Sequence, residues 1–296
     1  MSDLHTAAAI DQQLGQARGL VIHQRLQVSA TVPRPSDGGR GASSLPYTPQ
    51  GTYKVHRLPH DKQARKHPTD EADVGWTPTS AELDTLESFM VVHEESSLGL
   101  HIMLAMFGCR KLRPLRFHFM VDGGGDVFLA KRHFRTSGFW CCPMHLDVST
   151  TPNQSTTTGQ QSTTGQQNPV RFGRVRENFD GYLKRCYQMC CLCTSYTDID
   201  RLLPYDKYET RFTLRTNFCS CGRVNNCCAG TAITRNGIFD ILDPHGDIVG
   251  YLQLVGSDGH EFSRAFVLEF PVESTPEDRA LLLTALFQIQ VAFLEP

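Results

Sequence analysis

Two regions of the chain alternate polar and apolar positions with the period of a β-strand. In Leu115–Val121 ("LRFHFMV") basic or polar residues alternate with apolar ones, the turn sequence "DGGGD" follows, and "VFLA" begins a second strand. The same order recurs in residues 237–242, "DPHGD" and Ile248–Val255, and residues 264–272 add a further strand. These patterns predict a mainly β domain of short antiparallel strands.

A helix with almost no polar face is predicted to follow the last strand. Thr275 is placed to cap it, Pro276 suits its first position, and Asp278 occupies the reciprocal capping position. Such a helix belongs inside a protein core or a bilayer. Residues 280–294 would extend about 22 Å, whereas a hydrocarbon core is about 30 Å thick. We therefore expect burial in the protein's own core, with a short membrane insertion as the alternative. Its apolar side chains include Leu281, Leu282, Leu283, Leu286, Phe287, Ile289, Val291 and Phe293.

Antiparallel strands followed by one hydrophobic helix favour a sheet or barrel wrapped around that helix.

Residues 1–79 mix Pro, Gly, Ser and charged residues, so we expect a disordered tail there and a domain over 80–296. Within the tail, Pro46 and Pro49 form a PxxP motif that an SH3-type partner could bind. The Ser-, Thr-, Gly- and Gln-rich segment 149–168 is expected to be an insert in a hairpin.

Net charge and cysteine content indicate which classes of partner and chemistry to expect. The chain has 29 Lys and Arg against 31 Asp and Glu, which gives no global attraction to nucleic acid. No secretory signal is visible at its start, so we expect an intracellular protein whose eleven cysteines are reduced. Clustered cysteines in that setting favour lipid, metal or redox chemistry.

One cysteine cluster follows a basic stretch. The segment "RCYQMCCLC" contains Cys186, Cys190, Cys191 and Cys193. The preceding basic residues, which suit an anionic membrane surface and its lipid headgroups, are Arg171, Arg174, Arg176, Lys184 and Arg185. Acyl chains beside such a patch would anchor a protein stably. We predict S-acylation of Cys190, Cys191 and Cys193. Buried thiols remain one alternative, and zinc bound by cysteines 191, 193, 219 and 221 is another, although neither pair has the usual spacing.

No catalytic constellation is visible. The histidines of residues 80–296 show no H-E-x-x-H motif, and no nucleophile elbow is visible; these histidines are His93, His101, His118, His133, His145, His245 and His260. There is also no phosphate-binding loop. We therefore expect a protein that is not an enzyme and does not use ATP.

The series of motifs resembles the phospholipid scramblase family. The ending "FSRAFVLEFPVESTPEDRALLLTALFQIQVAFLEP" is similar to the end of those proteins, and "FCSCGRVNNCC", "RCYQMCCLC", "GGGDVFLA" and "LDTLESFMVV" follow the family's order. The resemblance covers residues 81–296. It implies a tubby-like β-barrel around a central hydrophobic helix, palmitoylation, and a place on the cytoplasmic face of the plasma membrane. By analogy with tubby-like modules, the patch Lys131, Arg132, His133 and Arg135 could bind phosphoinositides, although a solvated strand end is the simpler interpretation.

The resemblance also implies calcium, but the matching segment is poor in acidic residues. Over residues 261–274 only Glu269 and Glu273 remain near the closing Phe270 and Pro271. Calcium takes six to eight oxygen ligands. Two glutamates four residues apart in one strand would be about 13 Å apart, too far to share an ion. We expect weak or no calcium binding at this segment.

The resemblance implies an ATP-independent phospholipid scramblase acting on membrane phospholipids. The alternative is a membrane-tethered, non-transporting module that binds phosphoinositide headgroups or protein partners. A membrane-spanning terminal helix would favour transport. A helix buried in the barrel would favour the binding module or an oligomeric mechanism that thins the bilayer. No nucleic-acid partner is expected.

Overall fold

The computed structural model describes residues 2–25, 51–64, 66, 73, 75–96, 114–121, 124–133, 145–151, 169–178, 194–217, 236–255 and 265–291. These residues form twelve strands: β1 (Gly19–Arg25), β2 (Gly51–Arg57), β3 (Ser88–Glu95), β4 (Leu115–Val121), β5 (Asp126–Arg132), β6 (His145–Thr150), β7 (Arg171–Glu177), β8 (Thr194–Leu203), β9 (Lys207–Asn217), β10 (Asn236–Leu242), β11 (Ile248–Val255) and β12 (Ala265–Glu269). The α-helices described are α1 (Ser2–Leu14), α2 (Ser80–Thr85) and α3 (Pro276–Ile289).

The strands form one closed antiparallel barrel. Each strand pairs with the next along the chain, and β12 pairs with β1 through Gly19 and Glu269. The upper rim is the end of the barrel where β12 ends and α3 begins, and the lower rim is the opposite end. Because neighbouring strands are antiparallel, every odd-numbered strand starts at the upper rim and every even-numbered strand starts at the lower rim. The expected mainly β architecture with a C-terminal helix is confirmed, and β4 and β11 have the predicted bounds.

Helix α3 lies inside the barrel. Its Phe287 ring packs against Tyr53 and Phe117, each at 4.9 Å between ring centroids, and against Phe119 at 5.6 Å. The predicted apolar side chains from Leu281 to Val291 are buried, and Phe293 lies outside the described residues. Burial in the protein's own core is thus confirmed.

Local sequence explains how α3 starts and how closely it fits. The Thr275 hydroxyl accepts a hydrogen bond from the Asp278 amide at 3.3 Å, and the Asp278 carboxylate accepts one from the Thr275 amide at 3.1 Å. This is the predicted capping box. On β7, a Cβ at Gly173 would lie 2.7 Å from Leu281 Cδ2, so only glycine leaves room for the helix at that point.

The structure corrects the point at which we expected the barrel to begin. Residues 1–79 supply α1 and the strands β1 and β2, and β1 closes the barrel. Ile10 and Leu14 of α1 are buried, and Arg279 Nη1 of α3 donates to the Leu14 carbonyl at 2.7 Å. The pairing of β1 with β12 joins the two ends of the chain, and no local pattern reports such a contact. The PxxP motif lies outside the described residues.

The predicted low-complexity insert falls between β6 and β7. These strands pair antiparallel, and the Thr150 amide donates to the Val170 carbonyl at 2.9 Å, as expected for a hairpin that carries an insert. Residues 152–168 lie outside the described residues.

Candidate functional site

The outer wall of the barrel carries a charged pocket across strands β4 to β9. It encloses about 850 Å³. Its lining combines four basic side chains, two carboxylates, two hydroxyls and three apolar residues: Arg116, Lys131, His133 and Arg171; Asp147 and Asp206; Ser149 and Tyr208; and Leu129, Pro169 and Leu202. A concave site with several cations and hydrogen-bonding groups suits an anionic ligand that also carries hydroxyls.

Strand register brings these charges together. Arg116 pairs with Lys131, Lys131 with Asp147, and Asp147 with Arg174, so one row of outward positions crosses four strands. Alternate positions such as Ala130 and Val175 point into the core and are buried. Because side chains alternate across a strand, the apolar core fixes which charged residues face outward.

Asp147 lies among the basic side chains. Its Oδ2 atom is 3.7 Å from His133 Nε2, 3.8 Å from His145 Nε2 and 3.7 Å from Arg171 Nη2. His133 follows the last residue of β5, His145 begins β6, and Arg171 begins β7. The carboxylate is therefore close to one guanidinium and two imidazole rings at once.

Tyr208 orients the arginines of the same region. Arg171 Nη1 donates to the Tyr208 hydroxyl at 3.1 Å, and the Arg174 guanidinium lies 3.8 Å from the Tyr208 ring centroid. The hydrogen bond to Tyr208, followed by the charge of Asp147, raises the pKa of Arg171 above its ordinary value. Arg174 also donates to Asp200 Oδ2 at 2.9 Å. Arg171 is thus held at the pocket, whereas Arg174 is engaged in an ion pair beside it.

Next to the pocket, carboxylates on the outer wall are buried beneath arginines. Asp200 is only 1% exposed and accepts hydrogen bonds from Arg174 and from the Thr210 hydroxyl, the latter at 2.8 Å. Asp198 accepts from Arg176 and Thr213, and burial raises its pKa. Buried, hydrogen-bonded ion pairs of this kind hold adjacent strands in register. We assign them a structural role.

A second polar cluster lies on β3, β4 and β5. His118 Nδ1 contacts Asp126 Oδ2 at 2.9 Å, and its Nε2 contacts Glu95. The hydrogen bond to Asp126, followed by that to Glu95, raises the pKa of His118. Burial and the charge of His118 lower the pKa of the nearby His93. No group of three or more acidic, His or Cys side chains within the described ranges has metal-binding geometry.

The predicted headgroup residues have different positions. Arg171 lines the pocket, and Arg174 lies beside it in the ion pair with Asp200. Lys184, Arg185 and the predicted acylation sites Cys190, Cys191 and Cys193 lie outside the described residues. The same holds for the cysteines of the zinc alternative.

The basic patch predicted on β5 is divided by the alternation of the strand. Lys131 and His133 line the pocket, whereas Arg132 points inward and is buried. Arg135 lies outside the described residues. The interpretation of the patch as a solvated strand end is thus wrong for Arg132, because adjacent strand residues face opposite sides of the wall.

Glu269 of the implied calcium segment has protein partners. Its Oε1 accepts a hydrogen bond from the Ala64 amide at 3.0 Å and lies 3.6 Å from Arg18 Nη2. Strand β12 ends at Glu269, so Glu273 lies in the turn before α3 and shares no strand with Glu269. The distance argument for a shared strand therefore does not apply. Weak calcium binding at this segment stays a prediction.

Sequence reasoning missed most of the pocket, because it named only Lys131, His133 and Arg171 among the lining residues. Arg116, Asp147, Asp206 and Tyr208 belong to separate strands and a turn, and they meet only through register. One signal was available, because outward positions of amphipathic strands carry the charges in "LRFHFMV" and "HLDVST". Which strand neighbours which could not be read from those patterns.

Comparisons of the chain with models of known protein families, with curated proteins and with solved structures found no match. The resemblance to scramblases therefore rests on the sequence motifs alone. Among the described residues, no helix has the length and apolar character needed to cross a membrane.

Proposed function

We propose that this protein is a non-transporting, membrane-associated module whose barrel wall binds phosphorylated lipid headgroups. The observation that carries the proposal is the pocket in which Arg116, Lys131 and Arg171 converge beside the hydroxyls of Ser149 and Tyr208. Guanidinium groups form paired hydrogen bonds with phosphate oxygens, and a lysine adds a compact charge. The carboxylate of Asp206 can accept hydrogen bonds from ligand hydroxyls. A phosphorylated polyol, such as a phosphoinositide headgroup, combines these features.

The position of α3 supports binding over transport. Residues 280–291 are buried by the barrel wall and α1, so exposing the helix to lipid would require opening the closed wall. That opening would uncover the aromatic contacts around Phe287 and the unpaired edges of strands. Scrambling by a membrane-spanning α3 therefore has no support in the arrangement.

Vesicle flotation tests the headgroup proposal. Purified protein is mixed with phosphatidylcholine vesicles that contain phosphatidylinositol 4,5-bisphosphate, phosphatidylserine at matched total charge, or no anionic lipid. We expect the strongest binding to vesicles with phosphatidylinositol 4,5-bisphosphate, weaker binding to those with phosphatidylserine, and the weakest binding to those without anionic lipid. Arg171→Gln and Lys131→Gln should each weaken binding about tenfold, because each removes a charge-assisted contact.

Lys62→Gln is the matched control, since Lys62 lies in the connection between β2 and β3 and pairs with Asp61 at 3.3 Å. It removes the same charge away from the pocket and should bind normally. Equal binding of Arg171→Gln, Lys131→Gln and the unaltered protein would reject the pocket as the headgroup site.

Reconstitution into vesicles with a fluorescent lipid and dithionite quenching tests the scramblase alternative. A non-transporting module leaves the inner-leaflet fluorescence unquenched. Complete quenching in sealed vesicles, without nucleotide, would replace our proposal with transport.

A further inference from the structure

The carboxylate of Asp147 lies beside the basic side chains with which an anionic ligand in the pocket would interact. Its Oδ2 atom is nearly equidistant from His133, His145 and Arg171, at 3.7 Å, 3.8 Å and 3.7 Å. The Asp147 side chain is 13% exposed, whereas that of Arg171 is 50% exposed. The acid thus lies beneath Arg171, whose guanidinium remains accessible from solvent.

The length of these contacts distinguishes Asp147 from the structural carboxylates nearby. Hydrogen bonds between charged N–H donors and carboxylates measure about 2.7–2.9 Å. Asp200 meets that range, with Arg174 Nε at 2.9 Å and the Thr210 hydroxyl at 2.8 Å. The three contacts of Asp147 are longer, at 3.7 Å to 3.8 Å, and none of them reaches hydrogen-bonding distance. The guanidinium of Arg171 therefore keeps donors that a ligand can use.

Asp147 is one of the two acids that set the charge balance of the pocket. Three side chains of the lining are permanently cationic, Arg116, Lys131 and Arg171, and two are carboxylates, Asp147 and Asp206. The lining then carries one net positive charge, apart from His133. Neutralising Asp147 would raise this to two. A ligand with a single negative charge gains little from the present balance, whereas a multiply phosphorylated ligand gains in proportion to its charge.

We propose that Asp147 is a built-in counter-ion that competes with anionic ligands for the basic side chains and so sets the minimum ligand charge that the pocket accepts. The inference rests on the headgroup-binding role proposed above and names its specificity-determining residue. Asp147 would act without contacting the ligand, by lowering the positive potential that Arg171 and its neighbours present.

Titration calorimetry with soluble probes on the full chain tests this role. The probes are inorganic phosphate, inorganic pyrophosphate and myo-inositol 1,4,5-trisphosphate. For Asp147→Asn we expect affinity for the trisphosphate to rise about tenfold, as when one repelling charge is removed about 5 Å from the ligand. We expect phosphate and pyrophosphate to bind the unaltered protein too weakly to measure and to bind Asp147→Asn measurably.

Asp61→Asn is the matched control, because Asp61 is an exposed carboxylate between β2 and β3 and its loss changes the net charge equally. It should leave all affinities unchanged. Asp147→Ser provides a second neutral variant if Asp147→Asn fails to fold, as judged by thermal unfolding.

The outcomes separate the two proposals. If Arg171→Gln weakens trisphosphate binding but neither Asp147 variant strengthens it, the pocket binds anions and the counter-ion role is overturned. If the Asp147 variants bind more weakly, Asp147 is a direct ligand contact, which also overturns it. If no probe binds the unaltered protein or the Asp147 variants, both proposals fail.

Discussion

At the scale of single residues, His118 is held as an imidazolium between two acids. Its Nδ1 faces Asp126 and its Nε2 faces Glu95, and ionised carboxylates only accept hydrogen bonds. Both ring nitrogens must therefore donate. The three residues belong to β3, β4 and β5, so the charged ring ties three neighbouring strands together.

This contact makes the stability of the wall depend on pH. The pKa of His118 is raised in the folded protein from an ordinary value of 6.5, so its stabilisation is complete below about pH 6.5 and is lost as pH rises through the higher folded pKa. We expect the difference in free energy of unfolding between the unaltered protein and His118→Gln to shrink from pH 6 to pH 9 in urea titrations. A difference that stays constant over this pH range would contradict the ion pairs of a charged His118.

A second residue-scale contact limits how β7 meets α3. Gly173 has no side chain, and a Cβ there would lie 2.7 Å from both Leu281 Cδ2 and the Asp200 carbonyl oxygen. Overpacking of this kind costs about 1–3 kcal/mol. We expect Gly173→Ala to lower the free energy of unfolding by that amount. Gly125→Ala, where a Cβ would meet nothing within 4 Å, provides the comparison.

Combining Gly173→Ala with Leu281→Val tests the cause. If the clash with the helix dominates, the smaller side chain at 281 should recover part of the loss in urea titrations. A strictly additive double variant would place the strain on the Asp200 carbonyl instead.

At the scale of elements, α1 is joined to α3 by one arginine. Arg279 Nη1 donates to the carbonyls of Leu14 and Gly15, at 2.7 Å and 2.6 Å, just where α1 ends. The last carbonyls of a helix lack partners within the helix, and a cation there also matches the helix dipole. Arg279 Nε donates to Ser274 Oγ at 3.0 Å, which connects the same side chain to the turn before α3.

Arg279→Met should therefore loosen α1 while leaving the barrel closed. Hydrogen bonds to charged donors contribute about 1.5–3 kcal/mol, and methionine keeps much of the side-chain bulk. We expect faster amide hydrogen exchange in α1, with little change in β10 and β11. Arg201→Met, which loses only a 4.0 Å contact with Glu277, is the control. Unchanged exchange in α1 would show that the buried side chains of Ile10 and Leu14 hold the helix without Arg279.

The sequence predicts the elements whose own residues carry a pattern, such as alternation in a strand or a capping box in a helix. The strand β4 follows from its alternation, and α3 follows from Thr275, Pro276 and Asp278 at its start. Strand β1 escaped prediction because its partners β2 and β12 are remote along the chain. The pocket escaped for the same reason, since Asp147 becomes the neighbour of Arg171 only through the pairing of β6 with β7.

At the scale of the whole molecule, the alternating strand directions sort the connections between two ends. The connections β3–β4, β5–β6, β7–β8 and β9–β10 all join strand ends at the lower rim. All eleven cysteines of the sequence fall within these four connections and outside the described residues. Acyl chains on these cysteines would therefore tether the barrel to a membrane through connections that start and end at the lower rim.

Replacing Cys190, Cys191 and Cys193 together with Ala should release the protein from cell membranes while leaving it folded. Each buried CH₂ of an acyl chain contributes about 0.8 kcal/mol, whereas each nearby Lys or Arg adds about 1 kcal/mol. The basic residues alone therefore cannot replace two or three chains. Membrane fractionation and acyl-exchange labelling measure the effect.

The control is Cys227→Ala with Cys228→Ala, which lies in another connection of the same rim and should stay bound to membranes. Release of the control alone would move the tether to the β9–β10 connection, and an unaltered distribution of the triple variant would leave the headgroup pocket as the membrane contact.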